Sequence, residues 1–127
     1  MKIAIAMSTA FLMMLAAFPA AADDGSHVAA AGTKSGTIGF AVEATADAAK
    51  SEAMKECQGA DTGDCTVLLS GSDMCISLAR SADRKSYGLG GGASRESSQT
   101  EAMKECAIDG ATGCNIHDTY CGPSSIN

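Results

Sequence analysis

Six cysteines, Cys57, Cys65, Cys75, Cys106, Cys114 and Cys121, are the residues of this chain best suited to chemistry. As thiolates they could attack a substrate, or with His117 they could fill a zinc site. No C-x-x-C pair is present. An even number of cysteines in a chain bound for an oxidising compartment points instead to three disulfides, which leaves no thiolate and no metal ligand. No cofactor is expected. His117 stands beside Asp118, and a histidine oriented by a carboxylate could serve a small secreted hydrolase as general base. The two are consecutive in an extended run, however, where neighbours point to opposite faces. The run "YGLGGGASRE" at 87 to 96 passes from a strand to a helix start, where backbone N–H groups can cradle an anion. Gly90, Gly91 and Gly92 do not have the G-x-G-x-x-G spacing, and a bulge or a close helix-to-sheet approach is the simpler reading. Arg80, Arg84 and Lys85, with Asp83 among them, form either a solvated turn or the one patch suited to an acidic partner.

The elements that must hold these residues are written in a repeat. "EAMKEC" occurs at 52 to 57 and again at 101 to 106, an offset of forty-nine. Thr37 to Cys57 falls on Ser86 to Cys106 without a gap, with eight of twenty-one positions identical. The register continues through Cys65 on Cys114, so each half reads as one supersecondary unit. "GTIGFAV" at 36 to 42 reads as a strand. Thr45 and Ser94 are suited to cap the helices that follow. Ala46, Ala49, Ala53, Met54 and Cys57 recur on one face of a 3.6-residue period, copied by Ser98, Ala102, Met103 and Cys106. "CTVLLS" at 65 to 70, "MCISLA" at 74 to 79 and "CNIHDT" at 114 to 119 read as strands, the middle one closing a hairpin on the one before it. The expectation is a single α+β domain: tandem strand-helix-strand units forming a mainly antiparallel sheet with both helices on one face.

The ends set the compartment. Lys2 precedes an uncharged run from Ile3 to Phe18, then Pro19 and "AAA" at 20 to 22. That run is shorter than the roughly 20 residues of a membrane span and reads as a secretory signal over 1–22. Residues 23–36, "DDGSHVAAAGTKSG", have a linker composition and include His27 as a solvated residue. The duplicated domain is placed at 37–121 and a loose tail at 122–127. Without Lys2 the balance is eight basic against fifteen acidic residues, which disfavours nucleic acid and anionic membrane surfaces as partners. No membrane insertion is expected after cleavage, and the location is periplasmic or secreted.

Duplication also constrains the bridges. Equivalent halves should make equivalent bonds, which favours Cys57–Cys65 and Cys106–Cys114, with Cys75–Cys121 joining the halves. Pairings that cross the halves, with a Cys57–Cys106 bond among them, stay open. The strand "GTIGFAV", the capped Ala-rich helix ending in Cys, the next Cys opening an aliphatic strand, and the later "YG" strand with a second Ala-to-Cys helix together resemble the bacterial domain of unknown function 4189 family. The likeness covers residues 36 to 121. It implies a small exported bacterial protein with no agreed enzymatic activity, although the family's strand tryptophan is missing. The function expected is a non-enzymatic binding module, such as an inhibitor, immunity-type or effector protein, whose partner is another protein or an envelope component. The alternatives are a hydrolase using His117 and a structural or stress protein of the cell envelope.

Overall fold

The repeated sequence folds, in a computed structural model that describes residues 26–61 and 63–122, as two copies of one β-β-α-β unit. The first consists of β1 (His27–Gly32), β2 (Ile38–Glu43), α1 (Ala46–Ala60) and β3 (Thr66–Ser72). The second consists of β4 (Cys75–Arg80), β5 (Tyr87–Gly92), α2 (Arg95–Ala107) and β6 (Asn115–Cys121). Each makes its own antiparallel three-stranded sheet, ordered β2-β1-β3 and β5-β4-β6. The first strand of each unit is therefore the central one. The expected signal segment at 1–22 and all but the first residue of the expected tail lie outside the described residues.

Alternation along the central strands fixes the layers. Ala29 and Ala31 of β1 pack on Ala49, Ala53 and Cys57 of α1. Val28 and Ala30, on the opposite face, meet Ile76 and Leu78 of β4 and Phe40 of β2 in the largest apolar cluster. Ala79 faces Ala102 and Cys106 of α2. The order of layers is helix, sheet, sheet, helix, with the sheets packed face to face. This differs from the single sheet with both helices on one face that the sequence pattern suggests. The hairpin expected between β3 and β4 is replaced by a passage from one sheet to the other, because β4 is buried along nearly its whole length and needs neighbours on both sides and cover on both faces.

The helices keep the predicted stripe at Ala49, Ala53 and Cys57, and at Ser98, Ala102 and Cys106, while Ala46 and Met103 stay exposed. Their caps are as expected. Thr45 accepts from the N–H of Ala48, and Ser94 forms a reciprocal capping box with Ser97.

The segment read as a linker at 23–36 contains β1, the central strand of the first sheet. Four consecutive residues, Val28 to Ala31, are fully buried there. Alanine is a poor strand former by propensity, but its small side chain lets α1 and the second sheet approach closely on the two faces. The pairings Cys57–Cys65, Cys75–Cys121 and Cys106–Cys114 are all present. Cys75–Cys121 does not join the halves, however. Cys75 begins β4 and Cys121 ends β6, adjacent strands of one sheet in direct register. The corresponding pair in the first sheet is His27 and Ser72.

Candidate functional site

The two units superpose in register detail, so their differences locate the site. From β1 to β4 the offset is forty-eight residues, since His27 pairs with Glu43 and Ser72 while Cys75 pairs with Gly92 and Cys121. One extra residue in the second hairpin turn restores the offset of forty-nine. Both turns close alike, with Thr33 N–H donating to Thr37 O and Ser81 N–H donating to Ser86 O, each at 3.0 Å.

In the first unit the turn is held from outside by Asp61, which follows α1. The Asp61 carboxylate accepts from the hydroxyls of Thr37 at 2.7 Å, Ser35 at 2.8 Å and Thr33 at 3.3 Å. It also accepts from the N–H of Gly63 at 2.8 Å. The Thr37 hydroxyl is the largest influence, followed by the Gly63 N–H and the Ser35 hydroxyl, and together they lower the Asp61 pKa to about 2. Around this latch lies a cleft of about 690 Å³, whose walls include Lys34, Ser35, Asp61, Asp64, Leu68 and Tyr87. Leu68 lies against Gly32, where a β-carbon would come within 2.9 Å of its Cδ1. Asp64 is exposed and has no ion-pair partner among the described residues.

The second unit closes the same place. Gly110 stands where Asp61 does in the first, and Ala82 stands for Lys34. Ala82 donates from its N–H to Thr112 O at 3.3 Å, and its side chain sits against Gly113. Asp83 holds this turn from within, accepting from the Ser81 hydroxyl at 2.7 Å and the Lys85 N–H at 3.0 Å. Those bonds lower its pKa, the Lys85 N–H first.

The outer strands differ too. β3 carries no charge from Thr66 to Ser72, and its Val67 and Leu68 are 38% and 42% exposed. β6 carries His117 and Asp118 and is tied to β4 through Cys121. At the edge of the first sheet formed by β2, Glu56 accepts from the N–H of Phe40 at 3.2 Å. Phe40 also stacks on Tyr120, centroids 4.5 Å apart. Burial, then the charges of Asp118 and Glu56, push the Tyr120 pKa up.

The residues singled out in the sequence do not converge. His117 is exposed on β6 and makes no hydrogen bond or ion pair among the described residues. The register passes from Leu78–Asp118 to Ala79–Ile116, so His117 is the extra residue of a bulge. Strict alternation fails at that point, and both His117 and Asp118 are exposed. Arg80 turns inward, donating to Gly36 O at 2.7 Å with its guanidinium 6.0 Å from the Tyr87 ring centre. Arg84 and Lys85 stay exposed in the turn, Arg84 at a φ of 64°. The cationic cluster is thereby divided. Gly90 faces α2 so closely that a β-carbon would lie 2.2 Å from Ala102 N, while Gly91 and Gly92 abut Met74 and Ser97. Ser77, Ser98 and Thr119 are linked by hydroxyl contacts of 2.7 and 2.9 Å under α2. Among the described residues, no group of three or more His, Cys, Asp or Glu could hold a metal ion.

Asp61, Asp64, Leu68 and Tyr87 were not singled out from sequence. The signal was present in the self-alignment, where Asp61 falls on Gly110 and Leu68 on His117. Of these four paired residues only His117 is a sequence candidate for chemistry. A family model described as a domain of unknown function, DUF4189, matches residues 27–121. No curated protein and no solved structure matches the chain.

Proposed function

We propose that this chain, which belongs to the DUF4189 family, acts as an exported binding module for another protein or an envelope component, and that its first half carries the contact surface. One observation carries the reading: two copies of one scaffold differ in that the first keeps an open cleft and an uncharged outer strand, while the second closes the matching turn with Ala82 on Gly113 and carries His117 and Asp118 on its outer strand. A scaffold under no functional demand would have no reason to keep one copy open. The cleft's chemistry suits recognition better than turnover. Its carboxylate at Asp61 accepts four hydrogen bonds from its own turn and loop, which makes it a latch and a poor proton acceptor. All six cysteines are bridged, so none is a nucleophile. Export is supported by those bridges and by the amino-terminal sequence pattern. Among the described residues no helix is long and apolar enough to cross a membrane.

The test is affinity capture with the oxidised protein from envelope and secreted fractions. A stoichiometric partner is expected, and repeated failure to recover one would end this reading. His117→Ala is expected to leave the partner interaction and any phenotype unchanged. Loss of function in that variant, with the fold intact, would return the molecule to the hydrolases.

A further inference from the structure

The outer edge of β3 sets a specific requirement on a partner. β3 pairs with β1 on one side, and among the described residues no strand pairs with its other side. Such an edge presents a row of backbone N–H and C=O groups that an extended chain can satisfy. The other outer strands are each guarded. At β2 the Glu56 carboxylate takes the Phe40 N–H. β6 carries His117 and Asp118 at its bulge. β5 has four glycines in six residues and offers a partner few side chains to grip. β3 shares the bulge, with Leu68 as the extra residue where the register passes from Ala30–Leu69 to Ala31–Val67, but it carries no charge, and it exposes Val67 and Leu68 beside its edge.

From this arrangement we infer that β3 receives an extended, lysine- or arginine-bearing segment of a partner protein as an added strand. The inference rests on the binding reading above and supplies its partner class. The apolar side chains of the incoming strand would lie along Val67 and Leu68. A cationic side chain at its end would reach the cleft at the start of β3, where Asp64 is exposed and Asp61 stands behind it. A second copy of this chain fits less well, because it brings the same negative net charge, formally −6 over the full sequence.

The probe is the peptide KKTVIVTKK, with EETVIVTEE and KKTVPVTKK as controls, titrated into the oxidised protein and read by fluorescence anisotropy and amide hydrogen exchange. The first peptide is expected to bind and to slow exchange across 66–70, with each control weaker by at least about tenfold. Leu68→Lys should weaken binding at least about tenfold with an unchanged melting temperature, and Val67→Lys replaces it if that variant melts early. Equal binding of KKTVIVTKK to wild type and Leu68→Lys, or of the proline control to wild type, would reduce the effect to diffuse charge attraction and overturn the proposal. A concentration-dependent dimer lost in Leu68→Lys would overturn it in favour of a second copy. Capture of the same partner by wild type and Leu68→Lys would remove the edge while leaving the binding reading standing.

Discussion

β3 and β6 occupy one edge position in two copies of the same unit and share a bulge, yet β3 is uncharged and exposes Val67 and Leu68, while β6 carries His117 and Asp118 and is bridged to its inner neighbour β4. The comparison teaches how a duplicated scaffold divides labour. Once two units share a core, a single unit suffices to keep a surface available, and the other can be sealed for stability. The sealing is visible in chemistry: a Cys75–Cys121 bridge where the first unit has His27 and Ser72, Ala82 closing on Gly113, and a hydroxyl network at Ser77 and Ser98 where the first unit has Ala29 and Ala49.

The largest expected effect tests that assignment directly. Removing Cys75–Cys121 with paired serines frees a loop of 46 residues and should cost about 4 kcal/mol by the chain-entropy estimate. Removing Cys57–Cys65, which spans 8 residues, should cost about 2.5 kcal/mol. Urea midpoints of the two double variants would measure the gap, and equal losses would contradict the division. Next comes helix approach. Gly90 touches the α2 backbone where the first unit has Ala41 under α1, so Gly90→Ala should destabilise by about 1 to 3 kcal/mol through overpacking. A melting curve unchanged from wild type would show that α2 has room to move.

The caps make a smaller contrast. Ser94→Ala breaks a reciprocal box and should cost about 1 kcal/mol, with Thr45→Ala costing less because its cap has one bond. Chemical denaturation of the two single variants decides the order. The smallest effect has a pH signature. Asp61 has a folded pKa of about 2 against an ordinary 3.8, so the stability it contributes is complete above about pH 4 and is lost as pH falls through 2. Asp61→Asn should lower the midpoint at pH 7, and its difference from wild type should narrow below pH 4. A difference that stays constant with pH would mean that the hydroxyl latch does not depend on the ionised carboxylate.

Much of this architecture was legible in the sequence, and the misses share a cause. The "EAMKEC" repeat located both helices, their buried stripes and two bridges, because identical residues survive where a helix end, a sheet and a sulfur must meet. β1 left no such trace. Its residues share one identity with β4, Ala31 with Ala79, and that match is displaced by the extra residue of the second turn. Composition then disguised a strand buried from Val28 to Gly32 as a linker. The cleft was hidden for a related reason: Asp61 and Leu68 are ordinary residues until a copy of the same fold shows Gly110 and His117 in their places. Exposed strand edges are a property of pairing order, which alternation along a single strand does not encode.

All three bridges lie within a unit, so the covalent connection between the halves is the short stretch from Ser72 to Cys75, and what else joins them is chiefly the apolar contact between the sheets, with the Arg80 hydrogen bond to Gly36 O beside it. This is the plan of two like protomers on one chain: two β-β-α-β units that meet through the same faces and are joined by one short peptide. In practice it makes the molecule divisible. A protease cut between Asp73 and Met74 would leave two oxidised fragments that part in denaturant without any reductant, the first holding one bridge and the second two.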